Sequence, residues 1–131
     1  MNKICTSLEQ SKKLIELGIN INTADMYYYT VNGDWEWYKT PNIIESIDDL
    51  DEHTISAWSL TALIKLMPFH IIENNNRFGF YQIKGFNKQG ETYRFGYKTN
   101  NDSFLFETSW HNDAIDAAFE MVVWLKENNK I

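Results

Sequence analysis

The sequence predicts a single α+β domain over residues 1–131, in which antiparallel strands pack against an N-terminal, a short central and a C-terminal helix. A chain of this length corresponds to one domain. Aromatic residues make up 15% of it and fall mostly in alternating, strand-like segments. Helix caps and apolar stripes of helical spacing flank those segments. We expect an aromatic hairpin followed by a three-stranded antiparallel meander.

The first helix and the hairpin follow one another near the start of the chain. Thr6 and Glu9 have capping-box spacing, and Gly18 is typical of a helix end. Asn32-Gly33 then separates two aromatic segments, which predicts a hairpin because a type I′ turn requires positive φ at both positions. This turn places three aromatic side chains on one side of a two-stranded ribbon: Tyr28, Trp35 and Trp37.

Residues 39–57 have no clear pattern and are interpreted as a surface segment with a short helix from Asn42. Ser59 is expected to cap the central helix, which ends before Pro68. Asn112 is expected to cap the C-terminal helix, which is the clearest element of the chain. The buried stripe of that helix comprises Ile115, Ala118, Phe119, Val122 and Leu125.

A repeated tetrapeptide organises the meander, because Arg77-Phe78-Gly79-Phe80 recurs as Arg94-Phe95-Gly96-Tyr97. Pairing Lys84 with Glu91 across a six-residue loop places the two glycines opposite each other. A second turn then places Arg94 beside Glu107. This register predicts one polar face and one aromatic face, the latter formed by Phe78, Phe80, Tyr93, Phe95, Tyr97, Phe104 and Phe106.

The polar face of the meander is the first candidate binding surface. Arg77, Arg94 and Lys98 are expected to converge there, where Tyr81 offers a stacking ring and the glycines leave a shallow floor. This chemistry suits a small anion or an acidic group of a partner protein. The alternative, and the commoner arrangement, is a solvated sheet face on which Glu107 neutralises Arg94.

The hairpin aromatics are the second candidate surface. Tyr28, Trp35 and Trp37 would stack on a planar ligand or fill a groove of a partner. Burial over the core is the alternative, because an isolated ribbon must bury one face to be stable. Aromatic residues lie on both sides of the ribbon, however, and this excess favours an interface or a pocket.

Neither a catalytic motif nor a metal-binding motif stands out, and we expect no cofactor and no metal. The acidic segment 45–52 with His53 lacks the glycine and the distal glutamate of a calcium loop. Cys5 is interpreted as a small buried residue. An enzymatic alternative stays open, namely a small hydrolase or transferase whose site combines Glu107, His111 and Asp113.

The charge of the chain limits its partners. A net charge of −6 disfavours duplex DNA and an anionic membrane, and no segment approaches the roughly 18 apolar residues that span a bilayer. The single cysteine fits a reducing compartment, so we expect a cytoplasmic protein. The expected function is a non-catalytic binding module for a protein or a small anionic ligand, with single-stranded nucleic acid as a further alternative.

Three parts of the chain carry a resemblance: Ser7–Leu14 leading into Thr23–Met26, Ala57–Leu60 through Leu66–Pro68, and Ala118–Leu125. They resemble a group of uncharacterised small proteins from gut bacteria of the Bacteroidetes type and from their phages or mobile elements. The resemblance covers roughly the helical parts and carries over no catalytic residue. It implies a small intracellular accessory protein and favours binding or inhibition over metabolism.

Overall fold

The structure is a computed structural model that describes residues 3–29, 41–46 and 49–131. It confirms the α+β class, because this part of the chain forms one small domain with three α-helices and two antiparallel sheets. The helices are α1 (Leu8–Glu16), α2 (Leu60–Lys65) and α3 (Ala114–Glu127), and a short 3-10 helix covers Ile21–Thr23. The strands are β1 (Met26–Tyr29), β2 (Asn42–Ile43), β3 (Thr54–Ala57), β4 (His70–Glu73), β5 (Asn76–Asn87), β6 (Gly90–Lys98) and β7 (Phe104–Glu107).

Side-chain caps fix where the helices begin. The Ser7 hydroxyl accepts a hydrogen bond from the Gln10 N–H at 3.1 Å, and the Gln10 side chain accepts one from the Ser7 N–H at 2.9 Å. Ser7 is therefore the N-cap of α1, and the predicted Thr6 is instead buried in the core. Asp113 replaces the predicted Asn112 as the cap of α3. Both corrections are shifts of one residue, since adjacent polar side chains compete for the same cap.

The remaining helix boundaries follow the prediction. Gly18 follows α1 with a φ of +89°, a left-handed conformation that glycine adopts without strain. Ser59 caps α2 by accepting a hydrogen bond from the Ala62 N–H, and this helix ends before Pro68.

A three-stranded sheet of order β2-β1-β3 follows α1. β1 pairs with β3 over four residues, from Met26 opposite Ala57 to Tyr29 opposite Thr54. The predicted helix from Asn42 is therefore wrong. Asn42 and Ile43 instead form strand β2, which pairs with one edge of β1 while β3 pairs with the other. The second strand of the predicted aromatic hairpin, residues 34–38, lies outside the described residues.

The second sheet has four strands in the order β4-β5-β6-β7, one more than the predicted meander. β4 and β5 are joined by Asn74 and Asn75, whose φ angles are 52° and 66°. Positive φ at both positions is the signature of a two-residue type I′ hairpin turn. The Asn74-Asn75 pair is therefore the sequence signal for a hairpin turn here, and thus for a strand, β4, before it.

The register of β5 and β6 differs from the prediction by two residues. The hairpin closes at Asn87 opposite Gly90, so Tyr81 rather than Gly79 lies opposite Gly96. Gly90 has a φ of +114°, which permits a tighter connection than the predicted six-residue loop. A shift of two residues leaves each side chain on its predicted face, because side chains alternate with a period of two.

The pairing of β6 with β7 also departs from the prediction. Gly96, not Arg94, lies opposite Glu107, and an irregularity follows between Tyr97 and Lys98. This bulge turns Phe104 onto the polar face, so its predicted place on the aromatic face is wrong.

The main core lies between the aromatic face of the four-stranded sheet and helices α2 and α3. Its largest fully buried side chains include Trp58, Phe95, Tyr97, Leu63 and Met121. The opposite face of this sheet carries exposed side chains, among them Ile72, Arg77 and Ile83, and is accessible to solvent.

Candidate functional site

The strongest candidate site is a shallow depression over Gly79 on this solvent-accessible sheet face. Gly79 lies opposite His70 of β4 on one side and opposite Lys98 of β6 on the other. Arg77 and Tyr81 flank it along β5 on the same face, because side chains two residues apart in a strand share a face. We define these five residues as the Gly79 cradle.

The floor of the Gly79 cradle is open. A Cβ atom placed on Gly79 would meet only the Lys98 carbonyl oxygen, at 3.9 Å, which is an ordinary van der Waals distance. An incoming group can therefore approach the backbone here more closely than at a residue with a side chain.

Arg77 is the most available cation of the cradle. Its Nη2 atom lies 3.2 Å from His70 Nδ1, and the side chain is exposed. Of the carboxylates that the structure describes, none lies within ion-pair distance of this guanidinium. Because a guanidinium carries five N–H donors, most of them are available to an incoming acceptor. The sequence pattern alone does not place His70 in the site, since its position depends on the β4–β5 turn.

Lys98 forms the opposite wall of the cradle. Its Nζ atom lies 3.0 Å from Asp102 Oδ1 and 5.0 Å from the centre of the Tyr81 ring. The Asp102 side chain is 70% exposed, so this ion pair is of the weak, solvated kind. Lys98 can therefore exchange Asp102 for another anion at little cost.

Tyr81 is held in place and is not a free stacking ring. Its hydroxyl donates a hydrogen bond to Glu107, and its ring lies over Gly96, where a Cβ atom would overlap it. Burial and the hydrogen bond to Glu107 raise the pKa of Tyr81 above its usual value. Tyr81 therefore stays protonated at neutral pH and forms a rigid side of the cradle.

Arg94 lies on the same sheet face beside the cradle, where it shares the Glu107 carboxylate with Tyr81. Its Nε donates to the Thr108 carbonyl oxygen at 2.9 Å, and its guanidinium lies 4.7 Å from the centre of the Trp110 ring. Glu107 lies 3.7 Å away, as the solvated-face alternative predicts. Trp110 in turn covers Gly85, whose Cβ would lie 3.2 Å from the indole. The structure thus places Arg77 and Lys98 beside Gly79, and places Arg94 beside Trp110 on the far side of Tyr81 and Glu107.

The second candidate surface is only partly described. Tyr28 is buried beneath the three-stranded sheet, where its hydroxyl donates to the Thr6 carbonyl oxygen at 2.8 Å. Its predicted neighbours Trp35 and Trp37 lie outside the described residues. Tyr28 is thus buried, as the alternative interpretation expects, and its part in a binding surface with Trp35 and Trp37 stays a prediction.

The three residues of the enzymatic alternative have separate structural partners. Glu107 accepts the hydrogen bond from Tyr81, and His111 Nε2 lies 2.7 Å from Glu120 Oε1. Asp113 caps α3. The enzymatic alternative therefore stays a prediction, with each of its three side chains in a hydrogen-bonded contact of its own.

The acidic segment uses its carboxylates on its own backbone. Asp49 Oδ2 accepts hydrogen bonds from the N–H groups of Glu45 and Ser46, and Asp51 Oδ1 accepts one from the His53 N–H. Within residues 3–29, 41–46 and 49–131, no three His, Cys, Asp or Glu side chains come together in a group suited to a metal ion.

Cys5 is 3% exposed, and burial raises the pKa of its thiol. We expect the native protein to react with a thiol reagent at least about tenfold more slowly than the denatured chain, because the thiolate is the reacting species. Absorbance after addition of Ellman's reagent, with and without guanidinium chloride, measures this ratio. Equal rates would place Cys5 in solvent.

Comparison of the chain with protein-family models, curated proteins and solved structures finds no match. The resemblance to small proteins of gut bacteria and their mobile elements therefore stays a prediction. None of the described helices has the length and apolar character needed to cross a bilayer.

Proposed function

We propose that the protein is a non-catalytic binding module that holds an anionic group, a carboxylate or a phosphate, over Gly79. The group would belong to a partner protein or to a small molecule. The observation that carries this proposal is the open floor at Gly79 between two cations, one of which, Arg77, has no carboxylate partner in the described part of the chain.

The chemistry of the cradle suits recognition of oxygen anions. A guanidinium donates two parallel hydrogen bonds to a carboxylate or phosphate, while Lys98 supplies a second positive charge. The chain has a net charge of −6, so a local excess of positive charge at the cradle would attract an anion there in preference to the rest of the surface. The cradle offers charge and hydrogen-bond donors, while its imidazole and hydroxyl groups are engaged, His70 Nδ1 by Arg77 and the Tyr81 hydroxyl by Glu107, which favours binding over turnover.

Titration with inorganic phosphate, followed by amide chemical shifts in NMR spectra, tests this proposal. We expect the amides of Gly79 and Lys98 to shift with a common dissociation constant. The variants Arg77→Gln and Lys98→Gln should each weaken binding by about tenfold, because each removes a hydrogen bond to a charged group. Thermal stability should change little, since both side chains lie at the surface.

Lys88→Gln is the matched control, because it removes the same charge from the exposed β5–β6 turn. An equal loss of affinity in this control would indicate general charge attraction and no defined site. Unchanged affinity in both cradle variants would contradict the proposal.

A further inference from the structure

The edge of β5 beyond the end of β4 is a second surface, separate from the cradle. β4 pairs with β5 only from Asn76 to Gly79, and the Phe80 N–H then bonds the Phe69 carbonyl oxygen at 3.0 Å. On its other side β5 pairs with β6 without interruption as far as Asn87. Over residues 81–87, none of the strands that the structure describes lies along the β4 side.

The backbone groups that face this edge can be assigned. The Phe80 N–H points toward β4, and the direction of N–H and C=O groups alternates along an antiparallel strand. The β5–β6 register contains no shift, so the alternation continues to the turn. Gln82, Lys84 and Phe86 therefore direct their backbone groups to the open edge, and Ile83 directs its own toward β6. A row of such groups is a template for another strand.

The side chains along the edge are accessible, and each face of the sheet carries an apolar one. Phe86 is 80% exposed on the face that carries Phe78 and Phe80, and Ile83 is 41% exposed on the opposite face. Gln82 and Lys84 are also exposed. An added strand would therefore gain apolar contacts on each face in addition to main-chain hydrogen bonds.

The charge of the edge indicates which strand would pair there. β5 contains Arg77 and Lys84 and no acidic residue, and Lys88 follows in the turn. Lys84 Nζ lies 3.0 Å from Glu91 Oε1, but both side chains are exposed, so this ion pair is weak and an incoming acidic side chain can compete for the lysine. An antiparallel pairing with a second copy, centred on the open segment, would place Lys84 opposite Lys84, and like charges in that position repel. Acidic side chains of a different chain would be attracted.

We propose that the open edge of β5 binds an extended acidic segment of a partner protein as a fifth strand of this sheet. The segment would place an acidic side chain opposite Lys84 on one face of the sheet and an apolar side chain against Ile83 on the other face. This binding does not require an anion over Gly79.

A synthetic eight-residue peptide of alternating valine and glutamate is the probe, and amide hydrogen exchange measured by NMR is the readout. In the free protein, the amides of Gln82, Lys84 and Phe86 should exchange fast, whereas those of Ile83 and Gly85 should be protected by β6. With saturating peptide, the three edge amides should become protected.

Two variants test the backbone and the charge separately. Gln82→Pro removes one edge-facing N–H without breaking a β5–β6 hydrogen bond, and should weaken peptide binding by about tenfold. Lys84→Glu should lower the affinity for the valine–glutamate peptide and raise the affinity for a peptide of alternating valine and lysine. Lys13→Glu makes the same charge change at an exposed position of α1 and should alter neither affinity. If Gln82→Pro does not fold, the two peptide affinities of Lys84→Glu still test the proposal.

Three outcomes would overturn the proposal. The edge amides could remain unprotected at all peptide concentrations, or both peptides could bind the unmodified protein equally well. The edge amides could also be protected in the free protein together with a dimer mass in sedimentation, in which case a second copy occupies the edge.

Discussion

Replacement of Trp58 by alanine is expected to lower the free energy of unfolding by about 3–5 kcal/mol, the loss typical of a large aromatic residue deleted from a core. Domains of this kind are stable by only about 5–15 kcal/mol, so the variant should lie close to its unfolding threshold. We expect a decrease in Tm of about 10–20 °C.

The size of this effect follows from where Trp58 lies. It is 0% exposed and stands between β3 and α2, where the main core meets the three-stranded sheet. Its indole N–H donates to Thr23 Oγ1 at 2.9 Å, and its backbone N–H donates to Thr6 Oγ1 at 3.1 Å. Alanine would leave a cavity and would also remove the indole hydrogen bond to Thr23.

Guanidinium denaturation followed by far-UV circular dichroism measures the change. Trp110→Ala is the matched control, because it deletes the same side chain at a position that is 43% exposed. The control should lose less than about 1.5 kcal/mol, since a partly exposed ring removes less apolar surface from water. Equal losses in the two variants would show that Trp58 does not join the core as described.

Gly96→Ala is expected to lower the free energy of unfolding by about 1–3 kcal/mol, although it adds a single methyl group. The new Cβ atom would occupy the space of the Tyr81 ring. That ring would have to move, and its hydrogen bond to Glu107 and its contact with Lys98 would be lost.

Gly79→Ala provides the control, because the same substitution meets open space there. It should leave stability unchanged or raise it by about 0.5–1 kcal/mol, as expected for glycine replaced in a strand. Combining Gly96→Ala with Tyr81→Ala should cost less than the sum of the two single changes, since the clash disappears with the ring. Strict additivity would contradict the stacking of Tyr81 on Gly96.

The fold was predictable to the extent that local patterns determine it. Caps and apolar stripes locate the helices to within a residue, and alternation assigns most aromatic side chains of β5 and β6 to the buried face. The register was not predictable from cross-strand pairs alone, because Lys84 and Glu91 reach each other diagonally, at 3.0 Å, across a shift of two residues. The turn at Gly90 decides the register.

The site was predictable only in part, for a related reason. Arg77, Tyr81 and Lys98 share the face that alternation assigns to them, but which of them meet depends on register. Arg94 is drawn to Trp110 and Glu107, contacts that arise only once β7 and the following segment are placed. His70 joins the cradle through a strand that the Asn74-Asn75 turn creates.

Gly79 stands in the middle of a strand without a positive φ, so its backbone would suit any residue. Repeated selection for heat resistance alone would therefore replace this glycine early and would retain Gly96. If this surface binds an anion, the selected variants would gain thermal stability and lose anion binding at the same time. A side chain at position 79 would raise stability and would also fill the floor on which the anion is bound.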